Sequence, residues 1–247
     1  MTGIAILLGG AAFRAWLLVL PTGEQFRAKN PGTTALMLAR AEEAEAEGRP
    51  VVRHQHWVPL SRISRWLTDA VVNSEDARFF DHDGIDVVET GEALGTAIER
   101  GRFKRGASTI TQQLARNLWL GEDRTLWRKL REMILARRLE ALGKDRVLEL
   151  YLNVAEWGDG VYGAEAAAQF WFHKSATQID PEEAAVLTAM LPSPRKRDPR
   201  HPAPPLRHRA SKVLALFGTY HQLAPHELAH ARSRLRSLLG RAAIAAQ

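Results

Sequence analysis

From Leu60 onward the apolar residues recur at helical spacing. Leu60, Ile63, Leu67, Val71 and Val72 share one face of a 3.6-residue repeat. Further helical stretches follow at roughly 86–100, 108–120, 125–142, 144–153, 161–171, 181–191, 206–220 and 225–240. Gly84, Gly101, Gly106, Gly143, Gly158 and Gly160 punctuate them. The alternating pattern of a half-buried strand is scarce, so the chain reads as mainly α. Its 247 residues are enough for one sizeable domain, or a domain with a small lobe. Six of the twelve prolines fall between Pro192 and Pro205, interleaved with Arg195, Lys196, Arg197 and Arg200. That composition makes a stiff, basic connector before the last helices.

The N-terminus has a different character. Gly3 to Leu20 is an 18-residue apolar run broken by one charge, Arg14. As a helix it spans roughly 27 Å, against a hydrocarbon core of about 30 Å. A mid-span Arg costs roughly 2.5–3.5 kcal/mol, which the surrounding Leu, Ile, Val, Phe and Trp can offset. No clean small-residue cleavage site follows, so the run is expected to be an uncleaved membrane anchor; a buried amphipathic helix is the alternative. Arg27 and Lys29 follow the run and nothing basic precedes it, which on charge alone points the body inward. A start codon placed too late in the reading frame would account for both the short span and the missing basic residues. The expected divisions are an anchor at 1–22, a tether or membrane-proximal segment at 23–59, a catalytic domain at 60–220 and a basic C-terminal helix at 221–247.

A formal charge of +6, from 34 Lys and Arg against 28 Asp and Glu, favours an anionic partner. Nucleic acid, an acidic membrane surface and a phosphate-bearing substrate all satisfy it. The absence of cysteine excludes a disulfide framework and a thiolate metal site.

Four segments carry chemistry. In Asn73 to Asp86, Glu75 and Asp76 end an apolar-faced helix, and Phe79, His82 and Gly84 follow in a turn. A carboxylate positioned in this way suits a general base, although an acidic helix end is commonly just solvated. In Arg105 to Asn117, Gly106 and Ser108 read as a loop feeding a helix cap. The free N–H groups there, with Ser108, Thr109, Thr111 and Gln112, can hold anions or sugar hydroxyls; an ordinary capped helix is the plainer reading. In Arg124 to Glu132, Arg124, Arg128 and Glu132 lie on one helical stripe with Lys129 beside them. Such a ladder is usually a surface feature of little energetic weight. It is equally what a diphosphate leaving group needs, because Arg binds phosphate oxygens bidentately and Lys adds a point charge. The fourth segment, Lys144 to Asn153 with the Gly-flanked loop and Ala-rich helix up to Lys174, suggests tight packing near a groove.

Together these segments resemble the family 51 glycosyltransferases of peptidoglycan synthesis, from about Trp66 to Pro194. The shared patterns are E-D-x-x-F-x-x-H-x-G-x-D at Glu75 to Asp86, G-x-S-T-x-T-Q-Q at Gly106 to Gln113, R-K-x-x-E at Arg128 to Glu132, and K-x-x-x-L-E-x-Y-L-N at Lys144 to Asn153. Glu156 to Gly163 and Phe172 to Lys174 add the marks of the monofunctional Gram-negative type. The resemblance implies a lysozyme-like helical fold with a small membrane-hugging lobe. It implies Glu75 as the base on the acceptor sugar's 4-hydroxyl and Glu132 beside the donor diphosphate, as the catalytic pair. It implies Arg116, Arg124, Arg128 and Lys129 on the leaving group, with Gln112, Ser108 and Thr109 in the donor site. Asp76, Phe79, His82 and Asn153 would support them. A divalent cation, Mg or Mn, is compatible with Glu132 but not obligatory. The implied partners are lipid II, the nascent glycan strand, the bilayer and other cell-wall synthesis proteins, with no nucleic acid. The implied location is the bacterial inner membrane, single-pass, with a periplasmic catalytic domain. Arg116 stands where many relatives carry Lys.

Residue types also separate transfer from hydrolysis. A glycosidase keeps one carboxyl protonated for a poor leaving group. A diphosphate leaves as a stabilised anion and needs positive charge instead. One carboxylate motif followed by Arg116, Arg124, Arg128 and Lys129 fits the second case, with inversion of an α-linked donor to a β-1,4 glycan. A lysozyme-like hydrolase is the nearest alternative, and a basic nucleic-acid or lipid-binding module the non-enzymatic one. His226 to His230 matches H-E-x-x-H, but no Asp, Glu or His follows to complete a zinc site. Ser193 to Lys196 mimics an acylation motif by chance. The transferase reading requires folding to bring Glu75 across a cleft from the cationic ridge that ends at Glu132.

Overall fold

The computed structural model describes residues 19–88, 91, 108–121 and 125–244. The helices are α1 (Ala35–Ala46), α2 (Arg65–Glu75), α3 (Ile110–Ala115), α4 (Leu126–Leu139), α5 (Lys144–Val154), α6 (Ala164–Phe172), α7 (Pro181–Met190), α8 (Pro204–Thr219) and α9 (Pro225–Ile244). The expectation of a mainly helical chain holds. Local chemistry explains most of the helix starts. Thr34, Ser64 and Thr125 each accept a backbone N–H from the first turn of the helix they precede. Asp180 forms a reciprocal capping box with Glu183, and Pro181 occupies the first helical position, where its missing N–H costs nothing.

Every residue of α7 is buried. It is the central rod, with α2, α8 and α9 packed around it. Trp157, Tyr151, Phe79 and Phe217 are the largest side chains fully enclosed in the same core. On the other side α3 packs between α4 and α5 and runs directly into a single π-helical turn, Arg116–Leu120.

No sequence pattern announces the small sheet, formed by β1 (His54–Gln55), β2 (Glu156–Gly158) and β3 (Val161–Tyr162) in the order β1-β3-β2. β1 pairs with β3 in parallel and β2 with β3 antiparallel, with a bulge between Glu156 and Gly158. Gly160 makes the turn possible. Its φ is +71°, and a Cβ there would lie 2.6 Å from the Val52 carbonyl oxygen.

Residues 23–59, expected as a tether or membrane-proximal segment, pack on the helices that follow. Leu36, Met37 and Ala44 of α1 are buried, and α1 packs on the π turn. Arg146 on α5 donates to the carbonyls of Phe26 and Lys29. α9, which falls in the expected 221–247 segment, is likewise part of the core through Leu228, Ala231, Leu235 and Leu239. The expected anchor falls mostly on residues 1–18, outside the described residues, as does most of the helix expected at 86–100. Among the described residues no helix is long and apolar enough to cross a membrane. The chain emerging from that N-terminal stretch is fixed by Arg138, which donates to the Leu20 and Pro21 carbonyls.

Candidate active site

A cleft of about 1030 Å³ opens between the C-terminal end of α2, the π turn, α8 and the connector after α7. Glu75, the last residue of α2, projects into it with its side chain 11% exposed. Arg209 Nη2 donates to Glu75 Oε1 at 2.5 Å, and Gln113 Nε2 approaches Oε2 at 3.4 Å. Behind Gln113 stands the enclosed Tyr151, whose hydroxyl donates to Gln113 Oε1 at 2.9 Å. Burial, and next the nearby Glu75 charge, push the Tyr151 hydroxyl far above its usual range, so it keeps its proton and donates it to Gln113.

The remainder of the Glu75 motif is scaffold. Asp76 is buried and accepts from His82 Nε2 at 2.9 Å and from the Ile110 N–H at 2.9 Å. Gly84 N–H donates to His82 Nδ1, which leaves the ring proton on Nε2 facing Asp76. Burial raises the Asp76 carboxyl above its ordinary value, and the hydrogen bonds from His82 and Ile110 oppose that only partly. Lys144 Nζ lies 4.5 Å from the Phe79 ring centre and donates to the His82 carbonyl at 2.5 Å. Asp76, Phe79 and His82 thus hold the turn after Glu75 and anchor the start of α3. Asn153 also supports: its amide bonds both the N–H and the C=O of Val58, pinning the segment before α2 to α5.

The second motif is placed differently from expectation. Thr109, not Ser108, caps α3, and Gln112 completes a capping box with it. Gln112 and Thr109 are therefore buried and do not line the cleft, whereas Gln113 and Ser108 do. Arg116 also lines the cleft and forms no ion pair among the described residues.

Glu132 is 1% exposed and held by two cations, Arg128 Nη1 and Lys129 Nζ, each at 2.5 Å. Lys129 Nζ also donates to Ser108 Oγ at 3.0 Å. The two carboxylates are therefore linked through Gln113, the Ser108 backbone and side chain, and Lys129, with Ser108 on the rim of the Glu75 cleft. Arg124 lies outside the described residues. Both Glu132 oxygens already accept from cations, so a resident divalent ion does not fit this donor set without displacing Arg128 or Lys129. Among the described residues no three His, Asp or Glu side chains cluster as a metal site. In the H-E-x-x-H segment, Glu227 caps its own helix by accepting from the Ala224 N–H at 2.7 Å.

Sequence reasoning missed Arg209, Gln113, Tyr151 and the cleft-facing connector. Gln113 was present in the quoted motif; nothing local connects Arg209 to a residue 134 positions earlier. The connector supplies Ser193, Arg195 and Lys196 to the cleft wall, with Arg195 bonded to Glu43 of α1 at 2.6 Å.

The chain is similar in sequence to known proteins. A family model described as Transglycosylase matches residues 43–217. The chain is 46% identical over 206 residues to the biosynthetic peptidoglycan transglycosylase of Bordetella pertussis, covering 80% of this chain and 83% of that protein. It is 43% identical over 187 residues to the protein of the same name from Dechloromonas aromatica, covering 75% and 81%. To that of Chromobacterium violaceum it is 43% identical over 202 residues, covering 80% and 87%.

Proposed function

This chain belongs to the transglycosylase family, and on that premise we propose that it polymerises lipid II with Glu75 as the general base. It is a peptidoglycan glycosyltransferase; the family match favours synthesis over the lytic alternative. The observation that carries the catalytic assignment is the placement of Glu75. It is a nearly enclosed carboxylate in a cleft of about 1030 Å³, joined by a short chain of contacts to a cationic ridge.

In this reading the acceptor's 4-hydroxyl gives its proton to Glu75 while its oxygen attacks the donor's anomeric carbon from the face opposite the diphosphate. The bond to the diphosphate breaks and its electron pair leaves with undecaprenyl diphosphate, so the anomeric centre inverts. Arg116 on the cleft wall and Lys129, bonded to Ser108 on its rim, offer positive charge to the leaving diphosphate, and Arg128 extends it along α4. Glu132 holds the ridge cations in place; no step passes through a metal.

The fold is of the lysozyme-like kind the resemblance implies, with a lobe against the lipid. Supporting this are Leu126 and Trp127 at the start of α4, 91% and 63% exposed, and the exposed Val87 and Val88. The apolar run Gly3 to Leu20 supports a single-pass inner-membrane protein with its catalytic domain in the periplasm.

The test is polymerisation of lipid-linked disaccharide by detergent-solubilised wild type and Glu75→Gln. A loss of about 10²–10⁴-fold is expected of a missing general base. Activity near wild type would remove Glu75 from that role. Finished peptidoglycan incubated with the wild type should release no fragments.

A further inference from the structure

Arg209 meets Glu75 with a single nitrogen. Nη2 donates to Glu75 Oε1 at 2.5 Å and to Ser74 Oγ at 3.3 Å, while Nε is buried with no acceptor. A guanidinium beside an unconstrained carboxylate usually takes both oxygens through parallel N–H bonds, and here it does not. Among the described residues, Glu75 Oε2 receives only the long 3.4 Å approach from Gln113. The two oxygens are therefore unequal: Oε1 is tied to the wall of the cleft and Oε2 is lightly held within it.

The wall is a packed helix. Arg209 sits on α8, which packs against both α2 and α7. Ser74 and Glu75 are consecutive at the end of α2, so one guanidinium nitrogen fixes the terminal turn and the carboxylate together. On the opposite side Gln113 is oriented by the Tyr151 hydroxyl, so its amide cannot rotate freely to capture Oε2.

We propose that Arg209 is a positioning residue for glycosyl transfer, anchoring Glu75 Oε1 so that Oε2 is presented to the attacking hydroxyl. This rests on Glu75 being the base. Arg209 does not touch the reacting atoms; it acts through the carboxylate. When Oε2 accepts the acceptor's proton, the bond to Oε1 persists, and the side chain need not turn during the reaction.

The experiment compares Arg209→Met, Arg209→Lys and Arg209→Ala in the full-length protein, alongside Glu75→Gln and the double variant. Arg209→Met keeps the bulk of the side chain without a donor. It should lower kcat about 100-fold, as misplacement of a reacting group does, with KM for lipid-linked disaccharide within about twofold. Arg209→Lys restores one donor and should lie within about tenfold of wild type, because the native contact uses one nitrogen. Guanidinium chloride at low millimolar concentration should recover part of the kcat lost in Arg209→Ala. Combining Arg209→Met with Glu75→Gln should add no further loss, since the two act as one unit. Equal kcat for the Lys and Met variants, or a raised KM with kcat intact, would overturn the proposal. So would additive losses in the double variant. If Glu75→Gln alone is fully active, the base assignment itself has failed, and that result is distinct from a defect confined to Arg209.

Discussion

A single ammonium, Lys129 Nζ, bonds Ser108 Oγ at 3.0 Å and Glu132 Oε1 at 2.5 Å, joining a buried carboxylate to the rim of the Glu75 cleft. Removing it should weaken both ends. Lys129→Met leaves Glu132 with Arg128 alone. Lys129 is itself 39% exposed, so the expected loss of stability is about 1–2 kcal/mol, less than for a fully buried pair. Urea denaturation measures it, and an unchanged midpoint with unchanged slope would show that Arg128 suffices.

The two adjacent glutamines should separate by what they do. Gln112→Leu removes the capping-box acceptor for the Thr109 N–H and should cost about 1 kcal/mol of stability. Gln113→Leu strands the Tyr151 hydroxyl and removes the second contact to Glu75, so polymerisation should fall by about tenfold. The outcome that refutes this is the reverse ranking: Gln112→Leu as the slower enzyme and Gln113→Leu at wild-type rate.

Arg195, first through its hydrogen bond, holds the Glu43 carboxyl below its usual value of 4.5. A carboxyl whose folded-state pKa is depressed contributes stability that is present above its unfolded value and lost as pH falls through the folded one. Wild type should therefore melt higher than Arg195→Ala at neutral pH, and the difference should shrink below about pH 4.5. Melting curves between about pH 7 and pH 3 decide this. A pH-independent difference would mean that Arg195 contributes only packing.

Gly160→Ala should destabilise the small sheet. The added methyl would sit 2.6 Å from the Val52 carbonyl oxygen, at a φ of +71° that L-residues avoid. A loss of about 1–3 kcal/mol is expected, read as a lowered denaturation midpoint. Substitution without loss would show that Val52 and its neighbours yield easily.

What the sequence revealed depended on whether the cause was local. Helices were legible because their starts carry their own chemistry, as at Thr125 and at Asp180-Pro181. The strands were not, because β2 and β3 are two or three residues long and wholly buried, leaving no alternation to detect. Glu75 stood out through its motif. Gln112 was expected in the donor site from the resemblance, and which of the two amides faces the cleft was not legible: with Thr109 as the cap, the Gln112 amide folds back on the backbone and Gln113 takes the cleft position. Arg209 was invisible because only the packing of α8 on α2 brings it near Glu75.

The salt bridge between residues 75 and 209 also has a temporal meaning. During synthesis Glu75 is made early, yet Arg209 and the wall of the cleft that α8 provides arrive only after most of the polypeptide has been made. Until then Oε1 lacks its anchor and the cleft stands open on that side, so the site is completed late.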